Sequence, residues 1–78
     1  MALAFVELTH FNAMCVTQSR GDGTHSAMVV FERRKDHGKT SLDARKFNLP
    51  GRYTDEREAI DAAIDYAEEN DNAGAVGL

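Results

Sequence analysis

A Gly-Asp-Gly sequence at residues 21–23 most constrains how this chain can fold, because it separates two segments of strand composition. The segments Phe5 to Gln18 and Ser26 to Arg33 are rich in the branched and aromatic residues that suit a pleated sheet. Glycine on each side of Asp22 supplies the positive backbone φ angles that a tight turn needs. We therefore predict an antiparallel hairpin with its turn at residues 21–23.

The same turn contains Arg20-Gly21-Asp22, the tripeptide that integrins bind in extracellular adhesion proteins. The N-terminal sequence MALAFVEL has neither a basic leader nor a small-residue cleavage site, and no segment approaches the roughly 20 apolar residues of a membrane span. We expect a soluble, cytoplasmic protein with no membrane partner. The tripeptide is then interpreted as turn geometry, with no integrin as partner.

A third strand is predicted after the second break in the pattern. The charged segment from Arg33 to Thr40 combines aspartate, glycine and lysine and predicts another hairpin loop. The segment from Thr40 to Leu49 alternates weakly, which is typical of an edge strand, and Pro50-Gly51 ends it because proline cannot donate to a sheet ladder.

One helix is predicted from Thr54, a favourable N-cap, to about Glu69. Acidic residues follow the cap, where the helix dipole favours them. The segment has an apolar stripe at helical spacing, with Ala59 and Tyr66 at its margins; the stripe consists of Ile60, Ala63, Ile64 and Ala67.

These elements predict an α+β fold, in which a three-stranded antiparallel β-meander precedes one C-terminal α-helix packed on one sheet face. The first strand is long and is expected to be broken or bulged near His10 to Asn12. Residues 1–70 form the single domain, and residues 71–78, rich in glycine and asparagine without periodicity, are expected to form a flexible tail.

The sheet face that the helix leaves uncovered is the candidate protein interface. A chain of 78 residues buries a thin core, and its single cysteine, Cys15, excludes an internal disulfide. Met28 and Val30 point away from Ala27, Val29 and Phe31 on the same strand, so they are the candidate interface residues. We expect a homodimer or another protein partner; the alternative is that these are ordinary exposed apolar side chains.

The charges are segregated, although the chain has a formal net charge of −4. Basic residues are concentrated between Arg33 and Arg52, and acidic residues between Asp55 and Asp71. The candidate anion or nucleic-acid patch consists of Arg33, Arg34, Lys35, Lys39 and Lys46. A nucleic-acid-binding accessory role is therefore the alternative function, while a solvated hairpin tip that protects a sheet edge is the simpler interpretation.

No catalytic, cofactor-binding or metal-binding residues are predicted. The chain has no glycine-rich phosphate loop and no Cys-x-x-Cys, and its three histidines lack a metal-ligand spacing. Cys15 within a strand is typical of a small buried hydrophobe. We expect a non-enzymatic protein that acts by binding.

The last third of the chain has the order Pro50-Gly51, then Thr54, then Glu58-Ala59. This segment resembles small bacterial β-β-β-α proteins and is more distantly similar to HicB-type antitoxin domains, in which a Pro-Gly turn precedes a threonine-initiated helix carrying Glu-Ala. The Pro-Gly to Glu-Ala spacing is short here, and no DNA-binding segment follows the helix. A HicB-like role would imply a toxin as partner.

Overall fold

The strand-forming segments build one antiparallel sheet, and the C-terminal helix packs across one of its faces. A computed structural model describes residues 2–34 and 44–76. The sheet contains β1 (Leu3–Glu7), β2 (Phe11–Ser19), β3 (His25–Arg33) and β4 (Arg45–Asn48), paired in the order β1-β2-β3-β4, and α1 spans Glu56–Ala73. The α+β class is confirmed, but the predicted number of three strands is wrong, because the first predicted strand is two strands.

The first predicted strand divides because the chain reverses at Thr9 and His10. The Leu8 N–H donates to the Phe11 carbonyl at 2.8 Å, and β1 then pairs antiparallel with β2 from Leu3 opposite Val16 onward. This turn contains no glycine and no residue with positive φ, so it lacks the composition that marks the Gly-Asp-Gly turn. The Asp71 carboxylate of the helix stabilises the turn by accepting hydrogen bonds from the His10 and Phe11 N–H groups.

The hairpin predicted at residues 21–23 is confirmed. Gly21 and Gly23 have φ angles of 81° and 87°, which are unfavourable for residues that carry a Cβ. The Arg20 N–H donates to the Thr24 carbonyl at 2.9 Å, and β2 and β3 pair without interruption from Ser19 opposite His25.

The third predicted strand is shorter than Thr40 to Leu49 in the described part of the chain. Strand β4 begins at Arg45, pairs with β3 and ends at Asn48, and the Leu49 N–H still donates to the Ala27 carbonyl at 3.0 Å. Residues 35–43, which include most of the predicted second loop, lie outside the described residues.

The helix begins and ends later than its sequence pattern predicts. Asp55, one residue after Thr54, is the N-cap, because its side chain accepts a hydrogen bond from the Arg57 N–H at 3.0 Å. The helix continues past Glu69 to Ala73, where Gly74 caps it in the left-handed conformation with a φ angle of 68°. Since Val76 is fully buried, residues 71–76 pack with the domain, whereas the sequence assigned them to a tail.

The core lies between α1 and the sheet and is built largely from small side chains. Its members are Ala13, Cys15, Ala27, Val29, Phe31, Ala59, Ala63, Ala67 and Val76. Three buried alanines of α1, spaced four residues apart, form the centre line of the helix face that packs on the sheet: Ala59, Ala63 and Ala67. Ile60 and Ile64 flank this line and are half-buried. Phe31, the largest buried side chain, packs edge to face on Phe47 with ring centroids 5.6 Å apart.

Candidate protein interface

Alternation along the strands produces an apolar surface on the sheet face opposite α1. We call this surface the open face; its apolar residues are Leu3, Phe5, Met14, Val16, Met28 and Val30. Successive strand residues point to opposite faces, and the alternate set on β2 and β3 is buried beneath the helix. Leu3, Phe5 and Met14 are 60%, 43% and 40% exposed, so large side chains from two strands remain in contact with solvent.

The strand register makes this surface continuous. One row runs from Leu3 through Val16 to Met28, and the next runs from Phe5 through Met14 to Val30. A recess of about 130 Å³ lies beside the second row, where it is lined by Phe5, Met14, Val30, Glu32 and Ala44. An apolar recess of that size accommodates one aliphatic side chain. The open face therefore contains a depression as well as exposed apolar surface.

Met28 and Val30, the residues predicted for an interface, both lie half-buried on the open face. Leu3 and Phe5 are not among the predicted interface residues, because the sequence pattern predicts one long strand from Phe5 to Gln18. The apolar run from Leu3 to Val6, followed by polar Thr9 and His10, is the signal that marks β1. The patch is therefore three strands wide, not two.

Polar residues border the two apolar rows. Beyond the second row, Glu7, Asn12 and Glu32 lie side by side in register. Asn12 is only 5% exposed; its amide donates to Glu32 Oε1 at 3.3 Å, while its buried Oδ1 has no hydrogen-bond partner among the described residues. At the opposite end of the strands, Gln18 and Ser26 lie opposite each other.

The basic residues predicted to bind nucleic acid do not form one surface in the described structure. Arg33 is one of the alternate residues of β3 that lie on the sheet face covered by α1, whereas Lys46 lies beside Val30 on the open face. Arg34 lies 3.7 Å from a Glu7 carboxylate oxygen and donates to the Leu8 carbonyl at 3.4 Å. Lys35 and Lys39 lie outside the described residues.

A buried carboxylate joins the helix to the turn between β1 and β2. Asp71 is 2% exposed, and its Oδ1 accepts hydrogen bonds from the backbone N–H groups of His10 and Phe11, both at 3.1 Å. Its Oδ2 lies 3.3 Å from His10 Nδ1. Asp71 thus occupies the last turn of α1, where the helix dipole disfavours negative charge, because backbone donors stabilise it there.

The Asp71–His10 pair has the chemistry of an acid-base dyad but not its setting. It borders an open, acidic recess of about 250 Å³ whose lining includes Glu7 and Glu68. The described hydrogen bonds join the His10 ring to Asp71 and to no hydroxyl or thiol. A base without a nucleophile within hydrogen-bond reach matches a structural role.

Cys15 is fully buried in the core, and burial raises the pKa of its thiol from 9.0 to about 11. The thiolate, which is the nucleophilic form, is therefore scarce at neutral pH. Within residues 2–34 and 44–76, no three His, Cys, Asp or Glu side chains are grouped to hold a metal ion. The described part of the chain also contains no helix long and apolar enough to cross a membrane.

Asp22 of the Arg-Gly-Asp sequence is held by contacts within the chain. The Thr24 hydroxyl and backbone N–H donate to its Oδ1, and Arg52 Nη1 lies 2.6 Å from its Oδ2. These groups, the Thr24 hydroxyl most strongly, hold the pKa of the Asp22 carboxyl below its ordinary value. Both carboxylate oxygens are thus engaged by the chain itself, Oδ1 within the turn and Oδ2 by Arg52.

We expect the Asp22 carboxyl to titrate below the ordinary aspartate value of about 3.9 in an NMR pH titration. Because the folded-state pKa is lowered, the stabilising effect of the carboxylate is complete above the unfolded-state pKa and is lost as the pH falls through the folded-state pKa. Thr24→Val should raise the midpoint more than Arg52→Ala. An ordinary midpoint in the unsubstituted chain would contradict the contacts seen here.

Comparisons of the chain with protein-family models, with curated proteins and with solved structures find no significant match.

Proposed function

We propose that this chain is a small, non-enzymatic protein-interaction module that self-associates through the open face. The observation that carries the proposal is the continuous pair of apolar rows on that face, with Leu3, Phe5 and Met14 extensively exposed. Contiguous exposed apolar surface on a small protein is typical of an interaction site. Isolated exposed apolar residues would not support this conclusion, but these residues are neighbours in register.

The size of the core supports the same proposal. One helix covers one sheet face, and the buried side chains there are mainly alanine, valine and cysteine, with one phenylalanine. Small domains bury a modest fraction of their surface, so covering the second sheet face adds stabilising burial that the single chain lacks. A second copy provides that cover without requiring another gene product.

The alternative of nucleic-acid binding has less support. Among its described basic residues, Arg33 and Lys46 lie on opposite sides of the sheet and Arg34 pairs with Glu7. Nucleic-acid sites instead gather lysine and arginine on one face, usually with aromatic rings between them. The open face presents Phe5 among aliphatic side chains, which suits a protein surface better.

Replacing Met28 and Val30 together with lysine should yield a folded monomer, because two charges would be buried in the apolar contact between copies. Sedimentation velocity over loading concentrations from about 5 to about 500 µM brackets a micromolar dissociation constant. The unsubstituted chain should show a concentration-dependent rise in sedimentation coefficient, and the double variant should not. A milder pair, Met28→Thr with Val30→Thr, should weaken association in the same direction.

A matched control adds the same two charges away from the open face. Asn72→Lys with Ala73→Lys changes exposed residues in the last turn of α1, where positive charge suits the helix dipole. This control should associate like the unsubstituted chain, and circular dichroism should show native secondary structure in every variant. Unchanged association in the Met28 and Val30 variants would remove the open face from the proposal.

A further inference from the structure

The two polar borders of the open face differ in chemistry. At one border, which we call the carboxylate end, Glu7 and Glu32 flank the buried Asn12. At the other border, which we call the amide end, Gln18 and Ser26 lie in register and carry no charge. The two apolar rows lie between these ends. Along the strands, the face therefore carries carboxylates at one end and uncharged amide and hydroxyl groups at the other.

Two copies of such a face can be stacked with aligned strands in two symmetric ways. Aligned stacking, with strand directions within about 30° of each other, is a common packing mode of two sheets, and it overlays the apolar rows along their whole length. If the two-fold axis is parallel to the strands, the carboxylate end of one copy covers the carboxylate end of the other. If the axis lies between the two sheets, parallel to their planes but perpendicular to the strands, each carboxylate end covers an amide end.

Electrostatics separates these two arrangements. The parallel axis brings Glu7 and Glu32 of both copies to one border. Arg34 lies 3.7 Å from Glu7 in each copy, but four carboxylates against two arginines still leave a net negative charge in a partly desolvated contact. The perpendicular axis keeps the two carboxylate ends at opposite borders, separated by the length of the strands. Across the interface it also lays apolar side chains of β1, β2 and β3 over apolar side chains.

Gln18 gives a second indication, because it is exposed at the amide end of β2. With the perpendicular axis, β2 covers β2 of the other copy in the reverse direction, so the Gln18 side chain of one copy lies over Asn12 of the other. A glutamine amide carries no charge and donates hydrogen bonds, so it lies between Glu7 and Glu32 of the other copy without charge repulsion.

The available area matches a reversible dimer. Four strands about 4.8 Å apart and four residue rows along them give a face of roughly 500 Å² per copy. Two such faces bury a total of about 1,000 Å², which is at the lower limit for specific protein interfaces. Association in the micromolar range is therefore expected, and a small change at the borders should alter it measurably.

We propose that the partner of the open face is a second copy of this chain, related by a two-fold axis that lies midway between the two sheets, parallel to their planes and perpendicular to the strands. The carboxylate end of each copy then meets the amide end of the other, and Gln18 lies over Asn12 between two glutamates. This inference rests on the proposed function, since it specifies how the open face associates with itself.

The test changes the charge of the amide end alone. Gln18→Lys places an ammonium group between Glu7 and Glu32 of the other copy, and Gln18→Glu places a third carboxylate there. Each dimer contains this contact twice, so the dissociation constant should fall about 5- to 30-fold for Gln18→Lys and rise by a similar factor for Gln18→Glu. Both effects should shrink between about 0.05 M and about 0.5 M salt, because exposed charges are screened.

The controls are Asn72→Lys and Asn72→Glu, which make the same charge changes on the exposed surface of α1 and should leave the dissociation constant unchanged. Sedimentation velocity supplies the dissociation constants, and circular dichroism confirms that each variant is folded. If both Gln18 variants weaken association, or neither changes it, while the Met28 and Val30 variants still abolish it, the orientation is wrong and the proposed function stands. If the unsubstituted chain stays monomeric throughout, both proposals fail, and the open face is left for a different protein.

Discussion

Replacing Asp71 with alanine is expected to lower the free energy of unfolding by about 2–4 kcal/mol, because it leaves two backbone N–H groups without their acceptor at a buried site. The carboxylate accepts from the N–H groups of His10 and Phe11 and is 2% exposed. It also provides the contact that joins the end of α1 to the turn between β1 and β2. Urea unfolding followed by circular dichroism measures the loss.

A comparison of variants at this position separates hydrogen bonding from charge. Asp71→Asn keeps an oxygen where Oδ1 accepts both N–H groups, so it should cost less than Asp71→Ala. Glu69→Ala, at an exposed position two residues away, should be neutral or slightly stabilising because it removes negative charge near the helix C-terminus. Equal effects for Asp71→Ala and Glu69→Ala would show that Asp71 does not hold the turn.

Replacing Phe31 with alanine is expected to lower the free energy of unfolding by about 3–5 kcal/mol, the usual cost of deleting a buried aromatic side chain. Phe31 is the largest fully buried side chain and packs on Phe47 beneath α1. A chain of this length has a total stability of about 4–12 kcal/mol at the usual value per residue. The variant should therefore be at the limit of folding, with a sharply lower urea midpoint.

Phe5→Ala makes the same chemical change on the other sheet face. Phe5 is partly exposed in the single chain, so the substitution should cost about 1 kcal/mol or less when unfolding is measured at low micromolar concentration. At high concentration the same variant should also weaken self-association. If Phe5→Ala destabilised the dilute chain as much as Phe31→Ala, the assignment of covered and open faces would be wrong.

Elements with a local cause are those that the sequence predicts well. Gly21 and Gly23 produce a turn because few other residues adopt positive φ, and alternation along β3 places Met28 and Val30 opposite Val29 without any knowledge of the fold. The alanine-rich helix follows from propensity and from acidic residues in its first turn. Each of these causes acts within a few residues.

The candidate interface was predicted in part for the same reason. The sequence shows that one helix leaves one sheet face uncovered and identifies Met28 and Val30 as residues of the opposite set. It does not show that Leu3 and Phe5 extend the same surface, because that extension depends on the turn at residues 9–10. Of the predicted basic patch, Arg33 and Lys46 lie on opposite sides of the sheet, and Lys35 and Lys39 lie outside the described residues.

The sequence by itself therefore determined the α+β class, the hairpin at residues 21–23, the single helix and the two sets of side chains on β3. The sequence also predicted a break or bulge near His10 to Asn12, but only the tertiary structure decided that the chain reverses there to form two strands, that the helix continues to Ala73 and that Val76 packs in the core. The physical reason lies in Asp71, whose carboxylate stabilises a glycine-free turn 60 and 61 residues earlier in the chain. A hydrogen bond between such distant residues leaves no periodicity or composition from which it can be inferred.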